Sequence, residues 1–407
     1  MSFIVRIIAL TALGCLLTIA VRLFRQADAQ TPSRTPVVLI SIDGLKPDYV
    51  LESEKHGLKI PNLRLLFQEG AYATGVTGVT PTVTYPSHTT MVTGVSPSKH
   101  GIITNTPFDP LSKNMGGWYW YAEDIKAPTL WDAVGRAGLI TASVDWPVSV
   151  GAEIRYNIVQ YWRASTPDDR KLTRALSTRG LLTEAEKEVG PYPEGYDYDL
   201  ESDGRRAKFI AWMLEKKKPH LLTGYFSSLD EVQHQTAPYS ALTFETLEGI
   251  DALVGDVRAA AERSNNGRAV ICVVSDHGHI TADRELHLNA ALREAGLIEL
   301  QEQKVKSWRA FAWTSGGSAG IMLKDANDDA SRNRVRELLK RLAADPANGI
   351  DRVVEGPDAK GLGGFPDAAF IVGVKPGFNV GGALSGPVRR TGKAGGTHGY
   401  LPGHRDM

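Results

Sequence analysis

The sequence predicts an α/β protein with a mostly parallel central sheet and helices on both faces. Three observations carry that expectation. Short β-branched runs such as VVLISI (Val37 to Ile42), HLLTGYFSS (His220 to Ser228) and AVICVVS (Ala269 to Ser275) are largely apolar on both faces, as strands buried within a parallel sheet are. Amphipathic helical patterns alternate with those runs. Finally, acids and histidines stand just after them: Asp43, Asp230 and the pair Asp276–His277. In a parallel sheet the carboxyl ends of the strands share one edge, where ligands bind, so acids distant in sequence meet there.

At 407 residues the chain has length for one large or two modest domains. Lys plus Arg and Asp plus Glu are equal at 46 each. Net charge therefore offers no attraction to a nucleic-acid duplex, and any affinity for phosphate has to come from a local site. Residues 1–29 have the three-part layout of a signal peptide: Arg6, an apolar core from Ile7 to Val21, and Ala27-Asp28-Ala29 before Gln30. Cleavage after Ala29 leaves a mature domain over 30–407 and implies a periplasmic or secreted protein. Arg22 and Arg25 are unusual after such a core, so an uncleaved membrane anchor is the alternative. Only Cys15 and Cys272 are present. Without the leader no intrachain disulfide can form, and Cys272 reads as a small buried hydrophobe.

The elements follow in order after VVLISI. PNLRLLFQEG (Pro61 to Gly70) is a helix with proline in its first turn and glycine after its end. TLWDAVGRAGL (Thr129 to Leu139) is a second helix, with ITASVDW following as a strand. Leu247, Ile250, Leu253, Val254 and Val257 recur at helical spacing and lead into AVICVVS. From Leu297 to Asp351 the pattern is irregular and suggests a smaller α+β insertion.

Six residues are candidate metal ligands: Asp43, Asp230, His234, Asp276, His277 and His398. A mixed carboxylate and imidazole set suits zinc, with manganese or iron second. Asp230 and His234 are four apart in LDEVQH, hence on one face of a helix. Asp276 and His277 are neighbours and converge only if the backbone turns after the strand. Taken singly, each has an ordinary reading as a cap, a turn residue or a surface histidine; four of them placed after strands make a set. TPTVTYPSHTTMVTG (Thr80 to Gly94) holds the candidate nucleophile. Pro86 stands where a helix can start, which puts Thr84 at a helix N-terminus, where free amides and the dipole favour anions. By composition Thr84 is one hydroxyl among many, but coordination to a metal can turn such a hydroxyl into an alkoxide. His88 and His100 read as structural.

ISIDG, TPTVTYPSHTTMVTG, KHGIITN, DWP, LDEVQH, SDHG and GTHGY come in one order between residue 38 and the end. With these pieces the chain resembles the nucleotide pyrophosphatase/phosphodiesterase family of the alkaline phosphatase superfamily. The resemblance implies an alkaline-phosphatase-like fold and two zinc ions per chain, one on Asp43, Thr84, Asp276 and His277, the other on Asp230, His234 and His398. It implies that Asn105 binds the phosphate, that Thr84 attacks phosphorus to form a phosphothreonine, and that water then releases the product. The substrates would be small-molecule phosphodiesters or pyrophosphates, nucleotides first, with no stable protein partner evident.

Three departures stand out. Position 85 is tyrosine where many relatives carry phenylalanine, and Tyr85 is expected to stack a nucleobase or other flat group. PVSVGAEI follows Trp146 in place of a proline-glycine-serine, which leaves the substrate open. The sequence also stops nine residues beyond His398, where relatives usually continue with a strand and helix; either this is a fragment or the edge of the sheet is missing, and in both cases His398 is expected to be poorly held. A sulfatase is excluded because Thr84 cannot become formylglycine. A phosphomonoesterase is the nearer alternative, disfavoured because ASVDWPVSVGA carries no cation. An inactive nucleotide or phosphate binder is the non-enzyme alternative.

Overall fold

A computed structural model describes residues 35–163, 165–193, 197–265 and 267–404. The leader expected over 1–29 lies outside the described residues, and no described helix is long and apolar enough to cross a membrane. Five strands build the central sheet: β1 (Val37–Ile42), β2 (Thr141–Val144), β3 (Tyr156–Ile158), β4 (Leu221–Phe226) and β5 (Val270–Val274). They run in the order β3-β2-β4-β1-β5, every pairing parallel. Val38, Ile40 and Ile42 of β1 enter a core with Phe209 and Ile210 of the helix Leu200–Lys217 and Leu247, Ile250, Val254 and Val257 of the helix Ala241–Ser264. On the opposite face Leu39 meets Val92, Trp131 and Trp146, so helices cover both sides as the doubly apolar strands require.

Local chemistry accounts for the helix ends. Thr129 forms a capping box with Asp132, and Asp199 and Ser240 cap the two long helices by accepting from Ser202 N and Thr243 N. The helix Thr84–Thr93 starts two residues earlier than Pro86 suggests. Proline is tolerated throughout a first turn, whose amides have no intrahelical acceptor, so the extended residue Val83 becomes the N-cap instead.

Beyond the central sheet the chain builds two smaller sheets and a hairpin. β6 (Ile280–Leu286) comes first, then the hairpin β7 (Ile298–Gln301) and β8 (Lys304–Trp308). β9 (Ala310–Ser315), β10 (Ser318–Leu323), β11 (Ile350–Glu355) and β12 (Ala368–Val374) form an antiparallel sheet in the order β11-β12-β10-β9. Val335, Leu338 and Leu339 of the helix Asp329–Ala344 complete its core. That sheet reaches to Val374, beyond the boundary at 351 drawn from the sequence, because β12 is its central strand. β13 (Gly377–Val380) and β14 (Arg389–Thr397) flank β6. Thr397 pairs with Ile280 and Gly396 with Thr281, which brings His398 back beside the turn that follows β5.

β5 departs from the expectation of full burial. Val270 is 47% exposed, and Cys272 is half-buried where the sequence suggested a buried hydrophobe. An edge strand has a neighbour on one side only, and periodicity does not reveal which strand takes the edge.

Candidate active site

Asp43 follows β1, and its amide donates to Phe226 O on β4 at 2.9 Å. Tyr225 Oη donates to Asp43 Oδ2. The chain then turns at Gly44, with φ +72, and the Gly44 amide donates to Asp276 Oδ1 at 3.2 Å. The turn after β5 makes Asp276 and His277 converge: His277 Nε2 lies 3.3 Å from Asp43 Oδ1 and 3.2 Å from Asp276 Oδ2. Thr84 Oγ1, at the first residue of its helix, stands 3.5 Å from the same nitrogen. Donors placed about 2.0–2.1 Å from one tetrahedral ion lie about 3.3–3.4 Å from each other. Asp43 Oδ1 and Asp276 Oδ2 are buried with no hydrogen-bond partner among the described residues. Orphaned carboxylate oxygens at that spacing fit a divalent cation.

A second group adjoins the first. Asp230 and His234 share one face of the helix Ser228–Thr236, with Asp230 Oδ1 3.4 Å from His234 Nε2 and 3.8 Å from His398 Nε2. His234 Nδ1 lies 2.8 Å from Gly396 O, and His398 Nδ1 lies 3.1 Å from Thr82 O. Carbonyls only accept, so both rings carry the proton on Nδ1 and turn a bare Nε2 towards Asp230. Donor atoms of Asp230, His234, His279 and His398 lie within 4.8 Å of one another, as do those of Asp43, Asp230 and His277, so either group could hold a metal ion. His398 is not weakly held. It is buried, its carbonyl accepts from Gly317 N at 2.7 Å, and Gly399 N donates to Thr82 O at 2.9 Å.

Burial, and after it the charges of Asp230 and Asp276, raises the Asp43 pKa well above the usual carboxylate range. Burial likewise lifts Asp276 to about 7. At Asp230 burial also opposes ionisation, but His234, His279 and His398 outweigh it and hold the carboxyl well below its ordinary value. Burial pushes His398 down to about 3 and His277 well below its usual value. Neutral imidazoles beside crowded carboxylates form the donor set a cation stabilises, and its charge relieves the carboxylate repulsion.

The sequence model of the type I phosphodiesterase/nucleotide pyrophosphatase family matches residues 37–401. The chain belongs to that family. An uncharacterised pyrophosphatase/phosphodiesterase of Schizosaccharomyces pombe is 26% identical over 262 residues, 62% of this chain and 47% of that protein. The chain thus spans about half the length of the curated relatives it matches first. Human ectonucleotide pyrophosphatase/phosphodiesterase 5 superposes with a TM-score of 0.63 at 21% identity, over 91% of this chain and 86% of that one. An inactive form of the murine protein, solved in complex with AMP, has a TM-score of 0.60 at 20% identity, over 90% of this chain and 84% of that one. These likenesses establish the alkaline-phosphatase-like fold.

In this phosphodiesterase-family chain the remaining expected residues fall as follows. Asn105 Oδ1 accepts from Tyr85 N at 2.9 Å, which assigns the oxygen and turns the NH2 group the other way. A cavity of about 450 Å³ opens there, lined by Asn105, His234 and His398 together with Thr104, Arg284 and Lys393. Tyr85 does not line it. Its ring is 0% exposed, with Trp118 and Trp162 at centroid distances of 5.2 and 6.3 Å, so the face expected to stack a substrate is covered. The aromatic beside Thr84 has been drawn into an aromatic cluster that the sequence disperses over residues 85–162. His88 supports the Thr84 backbone, with Nδ1 donating to Thr84 O at 2.7 Å and Nε2 accepting from Ser41 Oγ at 2.8 Å. His100 bonds Thr90 Oγ1 and the Ile102 amide at 2.9 and 3.2 Å.

Two features escaped the sequence reading. His279, two residues beyond His277, places Nε2 2.7 Å from Asp230 Oδ1; its only sequence signal was a second histidine in DHGH. The other is a buried ion network beneath the helix Ser228–Thr236. Arg206 pairs with Asp203 and Asp145, each at 2.8 Å, and Asp203 accepts from the Ser227 and Ser228 amides at 3.2 and 2.9 Å. The network thereby anchors the start of the helix that carries Asp230 and His234. Asp203→Ala leaves the buried guanidinium with Asp145 as its remaining carboxylate partner, takes the acceptor from two amides, and is expected to cost about 3–5 kcal/mol. The midpoint of denaturant unfolding measures it; an unchanged midpoint would mean the network carries no weight.

Proposed function

We propose that this chain hydrolyses phosphodiester and pyrophosphate bonds of small molecules, with Thr84 as covalent nucleophile. Asp43, Thr84, Asp276 and His277 would hold one zinc ion, and Asp230, His234 and His398 the second. The convergence of Thr84 Oγ1, Asp43 Oδ1 and Asp276 Oδ2 on His277 Nε2, at 3.2–3.5 Å, carries the proposal. When bound, the zinc ions supply Lewis acidity and countercharge, lowering the pKa of the hydroxyl and neutralising phosphoryl oxygens. Thr84 Oγ attacks phosphorus in line, and the bond to the leaving oxygen breaks with its electron pair. The resulting phosphothreonine ester, which keeps the substrate's remaining ester group, is then attacked by water, the bond to Thr84 Oγ breaks, a phosphomonoester leaves, and Thr84 recovers a proton. The Asn105 NH2 group donates to a phosphoryl oxygen as its charge grows, and the helix that starts at Thr84 presents its positive end to the same group.

Arg284 and Lys393 line the cavity, two cations absent from the region around Trp146 where the sequence was searched for them. Asp283 and Glu285 line the same wall and balance their formal charge. The cavity therefore adds no net countercharge for a dianionic monoester, and a monoanionic diester remains the better match. Among diesters, nucleotides are the first reading, in keeping with the family and with the AMP bound by the murine relative. The covered ring of Tyr85 and a cavity lining without phenylalanine, tyrosine or tryptophan favour a second reading, a phosphodiester whose flanking groups are polar rather than flat. The apolar leader further supports export to the periplasm or beyond.

The test compares kcat/KM on bis(4-nitrophenyl) phosphate, the nitrophenyl ester of thymidine monophosphate and 4-nitrophenyl phosphate. Both diesters are expected to exceed the monoester. A preference for the monoester would overturn the proposal, and equal rates on both diesters would favour the second reading.

A further inference from the structure

We propose that His279 is a positioning residue that donates its Nε2 proton to Asp230 and sets the carboxylate for the second metal ion, without itself being a ligand. The inference rests on the two-ion reading above, and three observations on the ring carry it.

The first is spacing. His234 and His398 keep their Nε2 atoms 3.4 and 3.8 Å from Asp230 Oδ1, the range of donors that share an ion. His279 Nε2 approaches the same oxygen to 2.7 Å. That is a hydrogen-bond length, shorter than the roughly 3.3 Å between neighbouring donors on a tetrahedral zinc. A carboxylate oxygen has two lone pairs, so Oδ1 can accept from His279 and still face the ion.

The second is the proton count. Both other imidazoles of this group give their Nδ1 proton to a carbonyl, of Gly396 and of Thr82, which frees Nε2 to coordinate. His279 Nδ1 is buried and has no partner among the described residues. If Nε2 coordinated, the single proton of the neutral ring would sit on Nδ1 as a stranded donor. With the proton on Nε2, it makes a charge-assisted bond to Asp230.

The third is the slot. A Cβ on Gly44 would come within 2.9 Å of His279 Cδ2, and a Cβ on Gly396 within 2.7 Å of Nδ1. Gly44 also has φ +72, where side chains are strained. Two glycine backbones thus hold the ring edge-on to Asp230. Because Gly396 O also orients His234, a single strand end aligns one ligand directly and another through His279. Partners of this kind, one step removed from the ion, typically change metal affinity by about 10–100-fold.

The experiment titrates zinc into metal-free full-length protein against a chromophoric chelator, for wild type, His279→Leu and His279→Gln. Leucine is expected to weaken one of the two zinc sites by about 10–100-fold and leave the other unchanged. Glutamine offers an N–H at a similar reach and is expected to recover most of the loss. X-ray absorption of the zinc-loaded proteins is expected to show the same number of imidazoles per zinc in wild type and the glutamine variant. Unchanged affinity in the leucine variant would overturn the proposal. So would a glutamine variant that loses one imidazole from the zinc shell, since His279 would then be a ligand. A wild-type chain that binds no zinc would overturn both this inference and the two-ion reading.

Discussion

Thr84→Ala is expected to lower kcat by about a thousandfold or more while leaving the fold and the metal content in place. The hydroxyl stands 3.5 Å from His277 Nε2, beside the orphaned oxygens of Asp43 and Asp276, where a metal-activated alkoxide could attack phosphorus. His88, itself held by Ser41, bonds the Thr84 carbonyl and not its hydroxyl, so removing the hydroxyl leaves that contact in place. Thr84→Ser keeps the oxygen and is expected to retain measurable turnover, reduced because a serine without the γ-methyl samples more rotamers. Steady-state rates on bis(4-nitrophenyl) phosphate measure both variants, with circular dichroism as the control for folding. Quenched reactions of the wild type are expected to contain Thr84 carrying the 4-nitrophenyl phosphoryl group, a covalent adduct that mass spectrometry detects. An alanine variant with near wild-type turnover would show that water attacks phosphorus directly.

Removal of metal is expected to be the other large effect. Without a cation, Asp43, Asp230 and Asp276 crowd one buried edge, and burial and mutual repulsion push Asp43 up and Asp276 to about 7. The donors then carry protons or repel one another, and Thr84 has nothing to activate its hydroxyl. Dialysis against a chelator is expected to reduce turnover at least about a hundredfold, and zinc to restore it. Magnesium is expected to restore little, because it prefers octahedral oxygen shells over imidazole. Binding to the native state alone also stabilises it, by about 4 kcal/mol when free zinc is a thousand times its Kd. The thermal midpoint is therefore expected to rise as zinc is added back. Full activity after exhaustive chelation, with less than one metal per chain by elemental analysis, would contradict the two-ion reading.

The sequence by itself determined the parallel sheet and the edge on which the chemistry lies. Apolar runs of strand length, each closing on a polar residue, are local signals, and parallel pairing places their ends together without further information. Asp43 and the Asp276–His277 pair follow from that rule, and the i, i+4 spacing of Asp230 and His234 from helix geometry. Tertiary structure alone decided the rest. His398 reaches the site because β14 pairs with β6 and bonds at Thr82 and Gly317 hold it, contacts between segments far apart in the chain. Tyr85 turns inward because Trp118 and Trp162 supply a better apolar surface than water does. Arg284 and Lys393 reach the cavity on β6 and β14, away from the strand ends where cations were sought. His279, in the turn between β5 and β6, meets Asp230 at 2.7 Å only because the helix Ser228–Thr236 packs against that turn. Period and spacing report which face of an element a residue occupies; what that face meets depends on packing between elements, which no local pattern encodes.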